Sequence, residues 1–286
     1  MIIVTDGGST KADWRIASAE GQITNIHTRG FNPFLHSSEF IETSLRDEFI
    51  NHFSVHQVTK VFYYGAGCSD AYRCSIVEKA LQNIFPSAEI YVDHDLLAAA
   101  RATLKEVPGI ACILGTGSNS CAYDGQAITD NVTNMGHLLG DEGSGYHLGK
   151  SLIQGYFYRE FPDDFKEVFE KEFPQGKRDM LNNIYSGNAN VYLSSYARFI
   201  AEHKANPYIK QLVGNAFDEF IRRHVCKYEN HENLPVAFVG SIAFHFQEIL
   251  DYVLKQRGLT LGPIVRKPIT ELLRYHLRRE QIPLID

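Results

Sequence analysis

Ile3-Val4-Thr5-Asp6-Gly7-Gly8-Ser9-Thr10-Lys11 is the stretch that decides the fold. A β-rich run ends at an acidic residue and two glycines, and a second strand-like run, Ala12–Ser18, follows at once. Two strands joined this closely form a hairpin. Glycines let the turn bring backbone N–H groups close to an anion, because no Cβ intervenes. Ser9 and Thr10 add hydroxyl donors, and Asp6 at the strand end suits a magnesium ion, directly or through water. The spacing is not that of a G-x-x-x-x-G-K-[ST] loop, and a strand rather than a helix follows. Taken alone, Asp-Gly-Gly is also an ordinary hairpin turn.

Working outward, Gln22–Thr28 reads as a third strand, which predicts an antiparallel meander. The pattern then alternates: helix Glu39–Phe53, strand Val61–Gly65, helix Ala71–Phe85 stopped by Pro86, strand Glu89–Val92, helix Leu96–Lys105. Alternation of this kind implies parallel strands with helical crossovers. Pro108-Gly109 breaks the chain, and the opening theme returns. Strand Ile110–Leu114 leads into the turn Gly115-Thr116-Gly117-Ser118, then strand Asn119–Tyr123 and a third strand starting at Gln126. Laying the two openings over each other sets Gly8 on Gly117, Ser9 on Ser118 and Trp14 on Tyr123. This internal repeat predicts two related α/β domains, 1–108 and 109–267, with a C-terminal helix of about 268–286 packing on the first. Two such hairpins could face each other across an interdomain cleft and hold a polyphosphate from both sides. The rest of the second half is mostly helical to about Tyr228. Leu234–Val239 is a buried strand followed by Gly240-Ser241, Leu259–Val265 is a last strand, and Pro268–Arg279 is a helix.

Two further segments carry chemistry. In Asn134-Met135-Gly136-His137-Leu138-Leu139-Gly140-Asp141-Glu142-Gly143-Ser144-Gly145, acidic capping of a helix accounts for one carboxylate but not for so many glycines. His137 reads as a structural histidine. In Asp93-His94-Asp95, directly after a strand, either carboxylate could cap the helix that begins near Leu96. A carboxylate at the C-terminal end of a strand is also a good general base for a hydroxyl.

Composition narrows the alternatives. With 28 Lys+Arg against 34 Asp+Glu, the net charge of -6 argues against a nucleic-acid binder. No apolar run approaches the ~20 residues that span a bilayer, and Asp6 interrupts the first one, so neither a membrane anchor nor a secretory signal is expected. Five cysteines without C-x-x-C spacing predict buried thiols in a reducing cytoplasm, not an iron–sulfur or zinc site.

At these segments the chain resembles the N-acetylglucosamine kinases, within the benzoyl-CoA-reductase-activator-type ATPases of the actin and hexokinase superfamily. The match runs nearly end to end, and its most specific piece is Gly136 to Ser144 with Gly115 to Asn119 upstream. The resemblance implies an actin-like ATPase fold, of ribonuclease H-like topology, and a cytoplasmic kinase, usually a homodimer, that uses ATP and Mg2+ on a small sugar. Asp6, Gly7, Gly8, Ser9, Thr10 and Lys11 would form the first phosphate loop, with Asp6 on the magnesium side. Gly115, Thr116, Gly117 and Ser118 would form the second, and Gly240 and Ser241 would touch the adenosine. Asp95 aligns with the catalytic base, and Asn32, Asn119, Gly136 and Asp141 fall at the sugar. Family members often carry Trp where this chain has Met135. Glucosamine, N-acetylmuramate and N-acetylmannosamine therefore stand beside N-acetylglucosamine as acceptors, and an activator-type ATPase without a sugar stands beside all of them.

Overall fold

Five strands early in the chain, β1 (Ile2–Gly7), β2 (Lys11–Ala17), β3 (Ile23–Arg29), β4 (Lys60–Gly65) and β5 (Glu89–His94), form a sheet in the order β3-β2-β1-β4-β5. The computed structural model describes residues 1–8, 11–50, 53–187 and 189–283, apart from the side chains of Asp47 and Ile50. Ser9 and Thr10 of the first loop therefore lie outside the described residues. The meander β1-β2-β3 is antiparallel, and β4 and β5 continue the sheet in parallel. Helices α1 (Ser38–Ile50) and α2 (Ala71–Ile84) make the crossovers, and α3 (Asp95–Thr103) follows β5.

Strand alternation sends Trp14 and Tyr63 to one face, against α1 and α2. There the Trp14 and Phe49 rings meet edge-on at 4.9 Å, Phe49 meets Phe85 at 5.3 Å, and Trp14 Nε1–H donates to Thr28 Oγ1. The Tyr63 hydroxyl, by contrast, is buried with no hydrogen-bond partner among the described residues. A Cβ on Gly7 would come within 2.6 Å of that hydroxyl, so Tyr63 by itself demands glycine at position 7. An unsatisfied buried hydroxyl costs about 1–3 kcal/mol. Tyr63→Phe should therefore leave thermal stability unchanged or raise it, and a fall in Tm would reveal a partner for the hydroxyl.

The opposite face carries α3 and the C-terminal helix Ile269–Arg279, which buries Ile269, Leu272, Leu273 and Leu277. The Leu96–Ala100 run is buried in α3, and its alanines let the two helices approach closely. Between helices and sheet, Tyr64 Oη shares a hydrogen bond with His276 Nε2 (2.8 Å) and accepts one from Arg101 (2.5 Å). Burial and the nearby Arg101 and Arg279 cations push the His276 pKa down to about 3, so its ring is neutral. Residues Met1–Lys105 and Lys267–Asp286 make up this first compact unit.

Glu106–Arg266 make up the second unit. Its strands β6 (Gly109–Leu114), β7 (Ser118–Tyr123), β8 (Ile128–Asp130), β9 (Pro235–Val239) and β10 (Thr260–Val265) repeat the plan in the order β8-β7-β6-β9-β10. Again the first three are antiparallel and the last two join in parallel. The duplication is thus one of topology, but the residue equivalence differs from the sequence alignment. Gly7 pairs with Ala12 to close the first hairpin, and Leu114 pairs with Ser118 to close the second. Gly7 therefore stands against Leu114, not Thr116. The shift arises because the two turns differ in length: Gly8 N–H donates to Lys11 O in one, Gly115 N–H to Gly117 O in the other, both at 2.9 Å.

Helices α4 (Gly136–Leu139) and α5 (Gly145–Phe157) follow β8, and a helical layer reaching to Pro207–Arg223 covers the sheet with an aromatic core around Phe165, Phe169 and Phe199. All five cysteines are thiols, with Cys68, Cys112 and Cys121 buried. Among the described residues no helix is long and apolar enough to cross a membrane.

Candidate active site

In the first unit the carboxylates gather at one end of the sheet. Asp6 is directly opposite Asp13 across the β1–β2 ladder, and Asp13 is opposite His27 on β3. Directly opposed residues share a face, so the hairpin sets two carboxylates side by side. Asp13 is compensated: His27 Nδ1 contacts its Oδ1, and Lys267 Nζ lies 3.4 Å from its Oδ2. Asp6 is not so matched. Burial pushes its pKa up to about 7, with Asp95 and then Asp13 adding to the rise and Lys267 opposing it. Asp95 is therefore close enough to Asp6 for its charge to disfavour ionisation of Asp6.

Asp95 is the first residue of α3, and the residue that caps this helix is neither of the aspartates considered from sequence. His94 is the N-cap, its Nδ1 lying 3.0 Å from the Leu96 N–H and 2.6 Å from Asp95 Oδ1. Burial alone would lower the His94 pKa, but the hydrogen bond and charge of Asp95, with the charge of Asp93, outweigh it and raise it above the usual value. Asn32 belongs to the same neighbourhood. His94 stands beside Gly65 in the β4–β5 register, and a Cβ on Gly67 would strike Asn32 Oδ1 at 2.5 Å. Gly67 also has φ +84, a left-handed conformation open to glycine at little cost. The side-chain-poor turn Gly65–Gly67 thus lies between Asn32 and His94-Asp95. Lys11 is exposed, and its carbonyl closes the hairpin.

In the second unit Asp141 is the organiser. Its Oδ1 accepts from the Ser118 N–H (2.9 Å) and from Asn134 Nδ2 (2.9 Å). A Cβ on Gly117 would come within 2.9 Å of that same oxygen, so the second glycine of the turn is required by a carboxylate of the protein itself. Asn134 also donates to Ser118 O and accepts from the Gly136 N–H. It ties the turn, Asp141 and Gly136 together, yet it drew no role from sequence; the signal was its place in the glycine-dense segment. Asn119 Oδ1 accepts from the Ser120 N–H and Asn131 Nδ2. Ser144, not a carboxylate, caps α5, while Glu142 pairs with His224 (3.2 Å) and Arg223 (3.5 Å). His137 packs edge-on against Tyr146, as a structural histidine does.

Gly240 ends β9 with φ +124, and a Cβ there would lie 2.2 Å from Leu114 O. The Gly240-Ser241 turn is thereby pressed against the start of the Gly115–Ser118 turn. Sequence reasoning also missed a cavity of about 550 Å³ between helices Pro207–Arg223 and Gln247–Gln256, lined by Gln211, Asn215, Asp218, Ile249 and Tyr252 among others. Its signal, an amphipathic pair of helices, is indistinguishable in sequence from ordinary packing.

Two sheets of the same order, each opened by a glycine turn at the end of its central strand, define an actin-like ATPase fold. The chain is similar over 98% of its length, and 99% of the other chain, to MamK solved as a double helical filament, with 12% identity and a TM-score of 0.59. No family profile matches it. A candidate N-acetylglucosamine kinase of Porphyromonas gingivalis is 40% identical, with 98% of this chain and 100% of that one covered and a TM-score of 0.91. An N-acetylmuramic acid/N-acetylglucosamine kinase of Clostridium acetobutylicum is 23% identical over 211 residues, 70% of this chain and 69% of that protein. The chain belongs to the family of N-acetylglucosamine kinase-like proteins.

Proposed function

We propose that the chain transfers the γ-phosphoryl group of ATP to a hydroxyl of an amino sugar, N-acetylglucosamine at its 6-hydroxyl. The observation that carries this reading is that Asp6, at the end of the hairpin strand, and Asp95, at the head of α3, lie within electrostatic reach of each other. The first can serve a cation and the second a hydroxyl. As the sugar oxygen attacks the γ-phosphorus in line, Asp95 accepts its proton. The new O–P bond forms while the bond to the bridging oxygen breaks, and ADP leaves with that electron pair. Gly7, Gly8, Ser9, Thr10 and Lys11 in one unit and Gly115, Thr116, Gly117 and Ser118 in the other are the phosphate-binding turns. Gly240 and Ser241 receive the adenosine. Asn32, Asn119, Gly136 and Asp141 hold the sugar; Asp141 keeps its second oxygen for a hydroxyl.

The residues fit magnesium. Burial first, and then the charges of Asp95 and Asp13, hold a proton on Asp6 near neutrality, and a divalent cation would favour its ionised form. Among the described residues no three His, Cys, Asp or Glu side chains converge as direct ligands, which suits an ion that keeps its waters. When bound, the ion neutralises phosphate charge. A cytoplasmic homodimer completes the proposal.

ADP release measured on a panel of sugars tests the reading. N-acetylglucosamine should give a kcat/KM at least about tenfold above glucosamine and N-acetylmannosamine, since a site built to hydrogen-bond an acetamido group rejects analogues that lack or misplace it. Full-rate hydrolysis without any sugar would replace the kinase with an activator-type ATPase. N-acetylmuramate is favoured as a second acceptor by one feature: Met135 is 61% exposed, leaving no aromatic wall against a bulkier sugar there.

A further inference from the structure

We propose that His94 is a positioning residue for Asp95, fixing one carboxylate oxygen so that the other faces the acceptor hydroxyl. The inference rests on the reading of Asp95 as the general base. Its geometry is independent of that reading. Asp95 Oδ1 is buried without a hydrogen-bond partner among the described residues, and His94 Nδ1 lies 2.6 Å from it, outside hydrogen-bond alignment, so a turn of the ring would give that oxygen its partner. The same nitrogen is 3.0 Å from the Leu96 N–H.

One ring nitrogen cannot both accept from Leu96 and donate to Asp95, so the site has two proton arrangements. With a proton on Nδ1, the imidazole donates to the ionised carboxylate, holds Oδ1 and leaves Oδ2 as the base. With Nδ1 bare, it accepts from the Leu96 N–H as a helix cap, and its lone pair tolerates Oδ1 at this distance only if Asp95 carries a proton. The first arrangement matches Asp95 before it takes the substrate proton. Once the sugar proton is on Oδ2, Oδ1 is the carbonyl oxygen of the acid and still accepts from Nδ1–H, so the first arrangement serves Asp95 after the transfer as well. Nδ1–H thus holds Oδ1 in both protonation states of Asp95, and the one proton that moves is the one the sugar releases to Oδ2.

The backbone supports this use of the ring. His94 closes β5, with its N–H donating to Asp93 Oδ1 at 2.8 Å, and has the extended conformation of an N-cap, φ -71 and ψ 148.

The experiment compares His94→Ala, His94→Asn and His94→Ser, with N-acetylglucosamine and ATP as substrates. Asparagine can accept from Leu96 through its oxygen and donate to Asp95 through its nitrogen; serine can cap the helix but is too short to hold Asp95. Positioning predicts that His94→Ala and His94→Ser both lower kcat about 10-fold or more, with both KM values within about 2-fold, and that His94→Asn recovers most of the loss. If serine recovers as much as asparagine, or if alanine lowers only the melting temperature, His94 is a cap and the inference fails. Asp95→Asn and the double variant separate this failure from that of the underlying reading. If Asp95→Asn turns over like the wild type, the base assignment fails. If Asp95→Asn is impaired, His94→Ala should add no further loss to it, because a residue acting through Asp95 has nothing left to act on.

Discussion

Asp95→Asn should lose about 10²–10⁴-fold in kcat, the range that general-base assistance contributes, while its affinity for ATP stays within about twofold. The carboxylate is at the head of α3, remote in sequence from both glycine turns, and asparagine preserves its shape while removing its proton affinity. Two side effects are separable from catalysis. An anion at the first turn of a helix is worth about 0.3–1 kcal/mol, so the variant should be slightly less stable on that account. Loss of the charge beside Asp6 works the other way, because Asp95 is the first charged neighbour holding a proton on Asp6. Turnover measured at saturating sugar and nucleotide, together with nucleotide binding by calorimetry, checks the prediction. Wild-type turnover, or a parallel collapse of ATP affinity, would remove Asp95 from the role.

Asp6→Asn should do two opposite things: abolish most of the activity and stabilise the protein at alkaline pH. The sign follows from the direction of the shift. Asp6 titrates near 7 in the fold against 3.8 in the open chain. Below 3.8 both states hold the proton and there is no penalty. Between 3.8 and 7 the unfolded chain ionises while the native state resists, so stability falls as pH rises; above 7 the penalty is complete. Each pKa unit is worth about 1.4 kcal/mol, and the half-buried position discounts the sum, leaving about 2–4 kcal/mol at pH 8. The wild type should therefore melt lower at pH 8 than at pH 5, and the variant should lose much of that difference while losing phosphate transfer. A variant less stable than the wild type at pH 8 would mean that the Asp6 charge is compensated in the native state. A gain in stability with a loss of function is the pattern expected where a protein keeps a costly group for its chemistry.

How much of this was legible in the residues is clear from particular elements. Strands β1, β4 and β6 announce themselves as short β-branched or apolar runs bounded by Gly or Pro, and α2 by its stop at Pro86, because burial on a period of two or 3.6 leaves a direct imprint. The repeat was legible as a pattern, but its register was not. A hairpin turn can gain or lose a residue without changing composition, and only the closing pairs Gly7–Ala12 and Leu114–Ser118 reveal it. The candidate site was legible as a set of segments but not as a set of contacts. That Asp6 would confront Asp13 depends on ladder register. That Gly117 would be held open by Asp141 depends on a hydrogen bond between residues far apart in the chain. Capping was misleading at both sites, since His94 and Ser144 displaced the carboxylates that sequence preference favours there. Aspartate ranks high as a cap because it is an acceptor, and an imidazole nitrogen or a hydroxyl meets the same need.

The first unit is discontinuous, its sheet being drawn from Met1–Lys105 and its covering helix from Ile269–Arg279. A ribosome releases the sheet-forming segment long before that helix, with the whole second unit synthesised in between. The nascent sheet therefore exposes the flank of Tyr64 and α3, and lacks the Lys267 ammonium beside Asp13, through most of translation. A face left uncovered in this way is prone to aggregation until the C-terminal helix is made.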